Sequence, residues 1–227
     1  MLPSRIGPRP KMPRMSPLVL ALVLAAGPAQ AQGFKFSNED TAEKEQAAQR
    51  QDEVRGLLNT PCRDKIRNQK IVVLIGEVRD GNIYAGQGSF GQHFDAINSR
   101  LRGLGLKTYT QAQITQQIAQ AEMDAYFKND PDAAISASKR LAAQYILRGV
   151  ISTRANRNAL INVNQVNVTM SFTLTGANGR MISQASAENA SFAGQDVSGL
   201  ALTLINERAD EVVARLYSDY CRAAGVR

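Results

Sequence analysis

Gly86, Gly88 and Gly91 stand at the spacing G-x-G-x-x-G, in the stretch Gly86-Gln87-Gly88-Ser89-Phe90-Gly91. That spacing serves dinucleotide binding when the glycines follow a strand directly and an acid ends the next strand, so that pyrophosphate meets a helix N-terminus and the acid meets a ribose. Here about ten residues separate the apolar run ending at Ile75 from Gly86, and the next short strand ends Lys107-Thr108-Tyr109 with no acid. The segment therefore reads as a mobile loop and a close helix entry, and no cofactor is expected.

The other reactive residue types are sparse. His93 is the only histidine, and with Asp95 it would need distant ligands to complete the three or four that a zinc site uses. No metal ligand is expected, and His93 reads as a partly exposed helix residue. Glu77, Asp80 and Asp95 are candidates for paired carboxylates in acid–base work, but nothing fixes their spacing. No Gly-x-Ser-x-Gly or comparable nucleophile arrangement occurs, so no catalytic residue is expected. Arg148, Arg154, Arg157 and Arg180 fall on strands or their connections, where they could meet an anionic group. The alternative, solubilising charge on an open sheet face, is the favoured one. No aromatics interleave with them, so stacking on single-stranded nucleic acid is not supported.

These residues must be held by elements whose period is legible. Val166, Val168, Met170, Phe172 and Leu174 alternate with Asn167, Thr169, Ser171 and Thr173, the pattern of a strand with one face on a core and the other wet. Gly176-Ala177-Asn178-Gly179 is turn chemistry, and Arg180 to Phe192 is the return strand. A lone hairpin is not stable in water, so helices must cover its apolar face. Ile71 to Ile75, IVVLI, is a buried strand, followed by a loop from Gly76 to Gly88. Phe90, Phe94, Ile97, Leu101 and Leu104 share a helix face, and Leu106 to Tyr109 is a short strand. Thr110 with Gln113 has capping-box spacing for a helix burying Ile114, Ile118, Ala121 and Ala125. A third helix spans Asp132 to Ala143, and Tyr145 to Arg154 is a strand. A polar link, Ala155 to Ala159, leads into the hairpin. The last helix is capped by Asp196 or Ser198 and buries Leu204, Ile205, Ala209, Val212, Val213 and Leu216. This order predicts an α/β (α+β) two-layer domain. Its mixed sheet has about five strands with helices packed on it, an antiparallel C-terminal hairpin and a long terminal helix.

The first residues read as a targeting segment. Arg5, Arg9, Lys11 and Arg14 precede an apolar run, Leu18 to Ala26, and Ala29-Gln30-Ala31 fits the small-x-small cleavage pattern. The run is too short to span a bilayer, which takes about 20 residues. Residues 1–31 are thus expected to be a cleaved signal peptide and the mature chain periplasmic, with no transmembrane helix. The full chain carries 27 basic and 20 acidic residues, a net +7. Removing the signal leaves 23 against 20, weak grounds for nucleic-acid binding. Residues 32–61 read as a helical N-terminal extension with a thin apolar face of Ala47, Val54, Leu57 and Leu58, docked only at its C-terminal end, used for association, or solvated. Residues 62–227 make the domain. Its two cysteines, Cys62 and Cys221, meet oxidising conditions on export, and a disulfide between them is the leading reading. Two free thiols are the alternative. A loop this long would contribute about 5 kcal/mol in the chain-entropy model.

Taken together, the apolar strand IVVLIGEV, the segment LKTYT, the run Tyr145-Ile146-Leu147-Arg148-Gly149 and the Thr175-Gly176-Ala177-Asn178-Gly179 turn before a long terminal helix resemble a known family. It is the periplasmic domain shared by the curli-secretion channel protein (CsgG-like) and the lipoprotein activators of penicillin-binding proteins (LpoB-like), over about residues 68–220. The resemblance implies a two-layer α/β domain that works by binding proteins in envelope assembly, without catalysis. Two departures stand out: no acylated Cys follows the apolar run, and no long amphipathic hairpin is inserted as in the channel branch.

The expected function is that of an exported, non-enzymatic accessory protein of the bacterial envelope. It would bind envelope or periplasmic proteins, or further copies of itself, in secretion, surface assembly or cell-wall synthesis. The expected contact surfaces are the Gly76–Gly91 loop, with Arg79, Gly86, Gly88 and Gly91, and the open sheet face, with Arg148 and Arg154. The alternatives are an oligomeric outer-membrane-associated secretion component, and a periplasmic small-molecule binder or enzyme using the Gly86–Gly91 loop.

Overall fold

The computed structural model describes residues 37–86, 91–158, 163–193 and 196–224. The expected signal segment, together with Gly88, Phe90, Ala159 and Gly194, lies outside the described residues. Thirteen elements follow in chain order: α1 (Ser37–Leu58), α2 (Arg63–Ile66), β1 (Lys70–Arg79), β2 (Asn82–Tyr84), α3 (Gly91–Gly103), β3 (Lys107–Thr108) and α4 (Gln111–Gln117). Then come α5 (Gln120–Phe127), α6 (Pro131–Leu141), β4 (Tyr145–Asn158), β5 (Val163–Gly176), β6 (Met181–Ala193) and α7 (Val197–Ala223). The strands form one mixed sheet in the order β2-β1-β4-β5-β6, with β3 beside the start of β1. β1 pairs in parallel with β3 and β4, and the rest of the ladder is antiparallel. Among the described residues no helix is long and apolar enough to cross a membrane.

The alternating strand carries the fold as its pattern requires. Val166, Val168, Met170, Phe172 and Leu174 of β5 are all buried, while Thr169 between them is exposed. The register puts them beside Ala185 and Ala187 of β6 and Leu147, Gly149 and Ile151 of β4, so one face of the sheet is continuous and apolar. α3 and α7 cover that face. α7 buries Leu204, Ile205, Ala209, Val212, Val213 and Leu216, and α3 buries Phe94, Ile97 and Leu101. Gly149 has no side chain because Phe172 packs over its backbone. A Cβ there would run into the Phe172 ring and lie 2.7 Å from Ile75 Cδ1.

Three sequence expectations give way. The loop expected from Gly76 to Gly88 is largely sheet: β1 continues to Arg79, then Asp80 and Gly81 turn the chain into β2 with φ of 50° and 78°. Asp-Gly with both φ positive is the two-residue hairpin turn that matches strand twist. The helix expected to bury Ile114, Ile118, Ala121 and Ala125 is two helices. Ile114 and Ile118 are buried, but the second helix buries Met123, Tyr126 and Phe127 and leaves Ala121 exposed. At about 100° per residue those two sets fall on opposite sides of a straight helix, so the chain breaks at Ile118, which is extended at φ −113° and ψ 121°. Finally, the polar link expected from Ala155 is strand as far as Asn158, paired residue for residue with Val163 to Val166. The ladder satisfies the backbone whatever the side chains.

The N-terminal helix α1 lies along α7. Ala47, Arg50, Val54, Leu57 and Leu58 are half-buried, and Arg215 reaches Glu53 at 3.1 Å.

Candidate interaction surface

On the second face of the sheet the cover is uneven. Over β1 and β4 it is supplied by the end of α5. Phe127 lies over Gly76, where a Cβ would come within 2.7 Å of both its ring and Ile83 Cγ2. Arg148, expected on the open face, is drawn into this cover. Its guanidinium lies 5.8 Å from the Tyr126 ring centre and 5.5 Å from that of Phe127, and its Nη atoms donate to the Phe127 carbonyl at 3.3 Å and to Asn129. Tyr126 in turn makes a 3.4 Å hydroxyl–hydroxyl bond with Thr175. Burial pushes the Tyr126 phenol up, and the Thr175 bond and the Arg148 charge pull it back. Arg148, expected on the open sheet face, thus ties helix to sheet through these contacts.

Beyond Thr175, which Tyr126 reaches, this face of β5 and β6 carries a run of exposed side chains. The cross-strand rows are Val150–Ser171–Ser186, Ser152–Thr169–Glu188 and Arg154–Asn167–Ala190. Thr169, Gln184, Ser186 and Glu188 are exposed, as are Arg154 and Arg157 at one end. Phe192 stands 57% exposed at the same end of the sheet. The result is a flat, hydroxyl-rich surface with a basic corner and an aromatic edge.

The Gly76–Gly91 segment supplies a second, smaller region. Arg79 donates to Glu77 at 2.8 Å and lies 5.9 Å from the Tyr84 ring centre. Gly86 follows the edge strand β2 and Gly91 opens α3, both half-buried. Gly88 lies outside the described residues, so the structure brings together only part of the glycine motif, and it places that part after an antiparallel strand. β3 ends without an acid. His93, half-buried on α3, is held below the usual imidazole range by burial, with Glu77 acting in the opposite direction. Asp95 is exposed. Among the described residues no three His, Cys, Asp or Glu side chains gather where a metal could be held.

Cys62 and Cys221 are joined, with Cα atoms 5.6 Å apart and both residues buried. Tyr217 braces the join: its hydroxyl accepts from the Cys62 N–H at 3.2 Å and donates to the Thr60 carbonyl at 2.6 Å.

Two features had no counterpart in the sequence reading. Tyr145 donates to the Tyr220 hydroxyl at 3.0 Å, the rings meeting edge-on at 5.4 Å, beside a cleft of about 400 Å³ at the Gly176–Asn178 turn. Burial, and then the bond to Tyr220, raise the Tyr145 phenol far above its ordinary value. The other is a groove of about 1010 Å³ between α1, the start of α7 and the edge of β6. Neither leaves a sequence signal, because each joins residues far apart in the chain.

No protein-family model matches the chain, and no curated protein matches it. Solved structures similar to it include lipoprotein GNA1162 from Neisseria meningitidis, at 14% identity over 63% of this chain and 97% of that one, with a TM-score of 0.46. The LpoB C-terminal domain from Salmonella enterica is similar at 16% identity over 57% of this chain and 93% of that one, TM-score 0.36. The PelC dodecamer from Paraburkholderia phytofirmans is similar at 16% identity over 66% of this chain and 88% of that one, TM-score 0.38. At these values no functional argument rests on the likeness.

Proposed function

We propose that this chain is an exported, non-enzymatic accessory protein of the bacterial envelope that acts by binding other proteins in secretion, surface assembly or cell-wall synthesis. In this reading residues 1–31 are a cleaved signal peptide, 32–61 a helical extension and 62–227 the binding domain, working in the periplasm. The observation that carries it is the uncovered β5–β6 face, where Thr169, Gln184, Ser186 and Glu188 are exposed in register with a basic corner. A sheet face left open on one side only, over a fully packed opposite face, is a surface rigid enough to present polar groups in fixed geometry. The basic n-region and the Ala29-Gln30-Ala31 site of the sequence support export.

The test is photo-crosslinking in the native envelope from a reactive residue placed at Thr169 or Gln184, with Asp95 on α3 as the control position. A discrete envelope protein crosslinked from the sheet positions and absent from the control is the expected result. Equal, diffuse labelling from all three positions would overturn the reading.

A further inference from the structure

α1 is fastened to the domain at one end. Just past that end Cys62 is bonded to Cys221 of α7, both are buried, and the Tyr217 hydroxyl donates to the Thr60 carbonyl at 2.6 Å. Leu58, in the last turn of the helix, packs against the main core. Nearer its start the helix stands off. A groove of about 1010 Å³ lies between Ala47 and Val54 of α1, Leu200 and Leu204 of α7, and Ala190 of β6. No side chain in residues 41–58 is buried outright, and the half-buried ones are mostly small or charged toward the helix start. A helix with so thin an apolar face gains little from packing, and a single helix of this length is marginal in water.

Charge crosses the interface midway along α1. On α7, Arg208, Glu211 and Arg215 stand at i, i+3 and i+7, one side of the helix. Glu211 is buried and pairs with Arg208 through one carboxylate oxygen and with Arg215 through the other, each at 3.0 Å. Two guanidinium groups thus share one carboxylate. Glu53 of α1 supplies a second, 3.1 Å from Arg215. The row is still not saturated: the Nε atoms of Arg208 and Arg215 are buried and have no acceptor among the described residues. Between this pair and the anchored end stands Gly56, where a Cβ would meet nothing. Sterics do not require a glycine there, and glycine is among the poorest helix formers, so the helix is weakest between its charged contact and its fixed end.

We propose that α1 is a releasable strap: residues 41–54 lift from α7 about the Gly56 region while the domain stays folded, and the Glu53–Arg215 pair is the latch. Ionic strength then sets how often the strap is open. The latch side chains are 41% and 48% exposed, so salt screens their attraction, whereas apolar burial, which salt does not weaken, is thin here. The anchored end is covalent and buried, so the strap swings without being lost. The width of the groove follows the position of α1. This inference does not rest on what the open sheet face binds, and its failure would leave that reading untouched.

The test is amide hydrogen exchange on the full chain with its disulfide intact, at about 0.01 M and about 1 M salt, where the screening length falls from about 30 Å to about 3 Å. Residues 41–54 should exchange about a hundredfold or more faster than the Val212, Val213 and Leu216 amides of α7, which open only with the domain. High salt should speed exchange in α1 by about threefold, the worth of one exposed ion pair, and leave α7 unchanged. Glu53→Gln should reproduce that increase at low salt and lose the response to salt. Arg215→Gln should match it from the other side of the interface, and the double variant should go no further than either single one. Asp52→Asn, which removes a pair with Arg55 inside α1, should keep the salt response. Unchanged α7 protection in every variant shows that the domain has not unfolded. Exchange in residues 41–54 as slow as in α7, the same salt response in parent and Glu53→Gln, or an Arg215→Gln variant whose α1 exchanges like the parent's would overturn the proposal.

Discussion

On the β1–β4 side of the sheet both faces are covered, by α3 and α7 below and by the end of α5 above; on the β5–β6 side only the lower face is. The sequence differs accordingly. β1 carries a continuous apolar run from Ile71 to Ile75, all buried, whereas β5 alternates buried and solvated residues. The difference also decides the fate of charged groups. Arg148 and Arg154 lie on the same strand and point to the same face. Arg148 falls under α5 and is consumed as a strut, while Arg154, six residues on, is exposed. Cover, and not residue type, determines which cation stays exposed.

The sharpest break of that comparison lies within one strand. Phe172→Ala empties the middle of the packed face and should cost about 3–5 kcal/mol. Thr169→Ala, three residues earlier on the open face, should stay within about 0.5 kcal/mol. Urea unfolding of the two variants checks this, and similar losses would mean that the upper face is not open in solution. A smaller contrast comes from the arginines. Arg148→Ala removes hydrogen bonds to the end of α5 and leaves a half-buried carbonyl unpaired, at about 1–3 kcal/mol. Arg154→Ala should be near neutral in stability, within about 0.5 kcal/mol. If Arg148→Ala is equally silent, α5 is not held by that residue.

Much of the packed side was legible because a buried face writes itself into residue order. IVVLI, the β5 alternation and the α7 stripe needed no tertiary knowledge. The same holds for the Thr110–Gln113 capping box, present with both bonds at 2.9 and 3.2 Å, and for the Asp196 cap on the Gly199 N–H. Asp80-Gly81 was an available hairpin signal that the reading of a long loop overrode. The break between α4 and α5 has no breaker residue. It follows from two apolar sets on opposite helix sides, a conflict that shows only when both are placed. The open face was legible as alternation, but which of its arginines stays exposed depends on α5, a segment about 20 residues earlier in the chain. The β6 groove depends on where α1 comes to rest, which no local pattern records.

The smallest predicted effect sits at the margin between the two regimes, where β1 leaves the covered region and α3 begins. His93 is half-buried there and its imidazole is held below the ordinary value of about 6.5, because burial disfavours the charged form more than Glu77 favours it. A depressed histidine is neutral in the folded chain while the unfolded chain still takes up the proton. Its contribution is therefore fully present above about pH 6.5 and is lost as the pH falls through the folded-state value. His93→Gln should remove that slope: the melting temperature of the parent should fall more than that of the variant between pH 7.5 and 5.5, by no more than about 2 °C given the partial exposure. Glu77→Gln, which takes away the opposing attraction, should instead steepen the parent's slope in the same window. Identical pH profiles for parent and His93→Gln would show that this margin is as solvated as the open face, and would move the boundary between the two regions inward along β1.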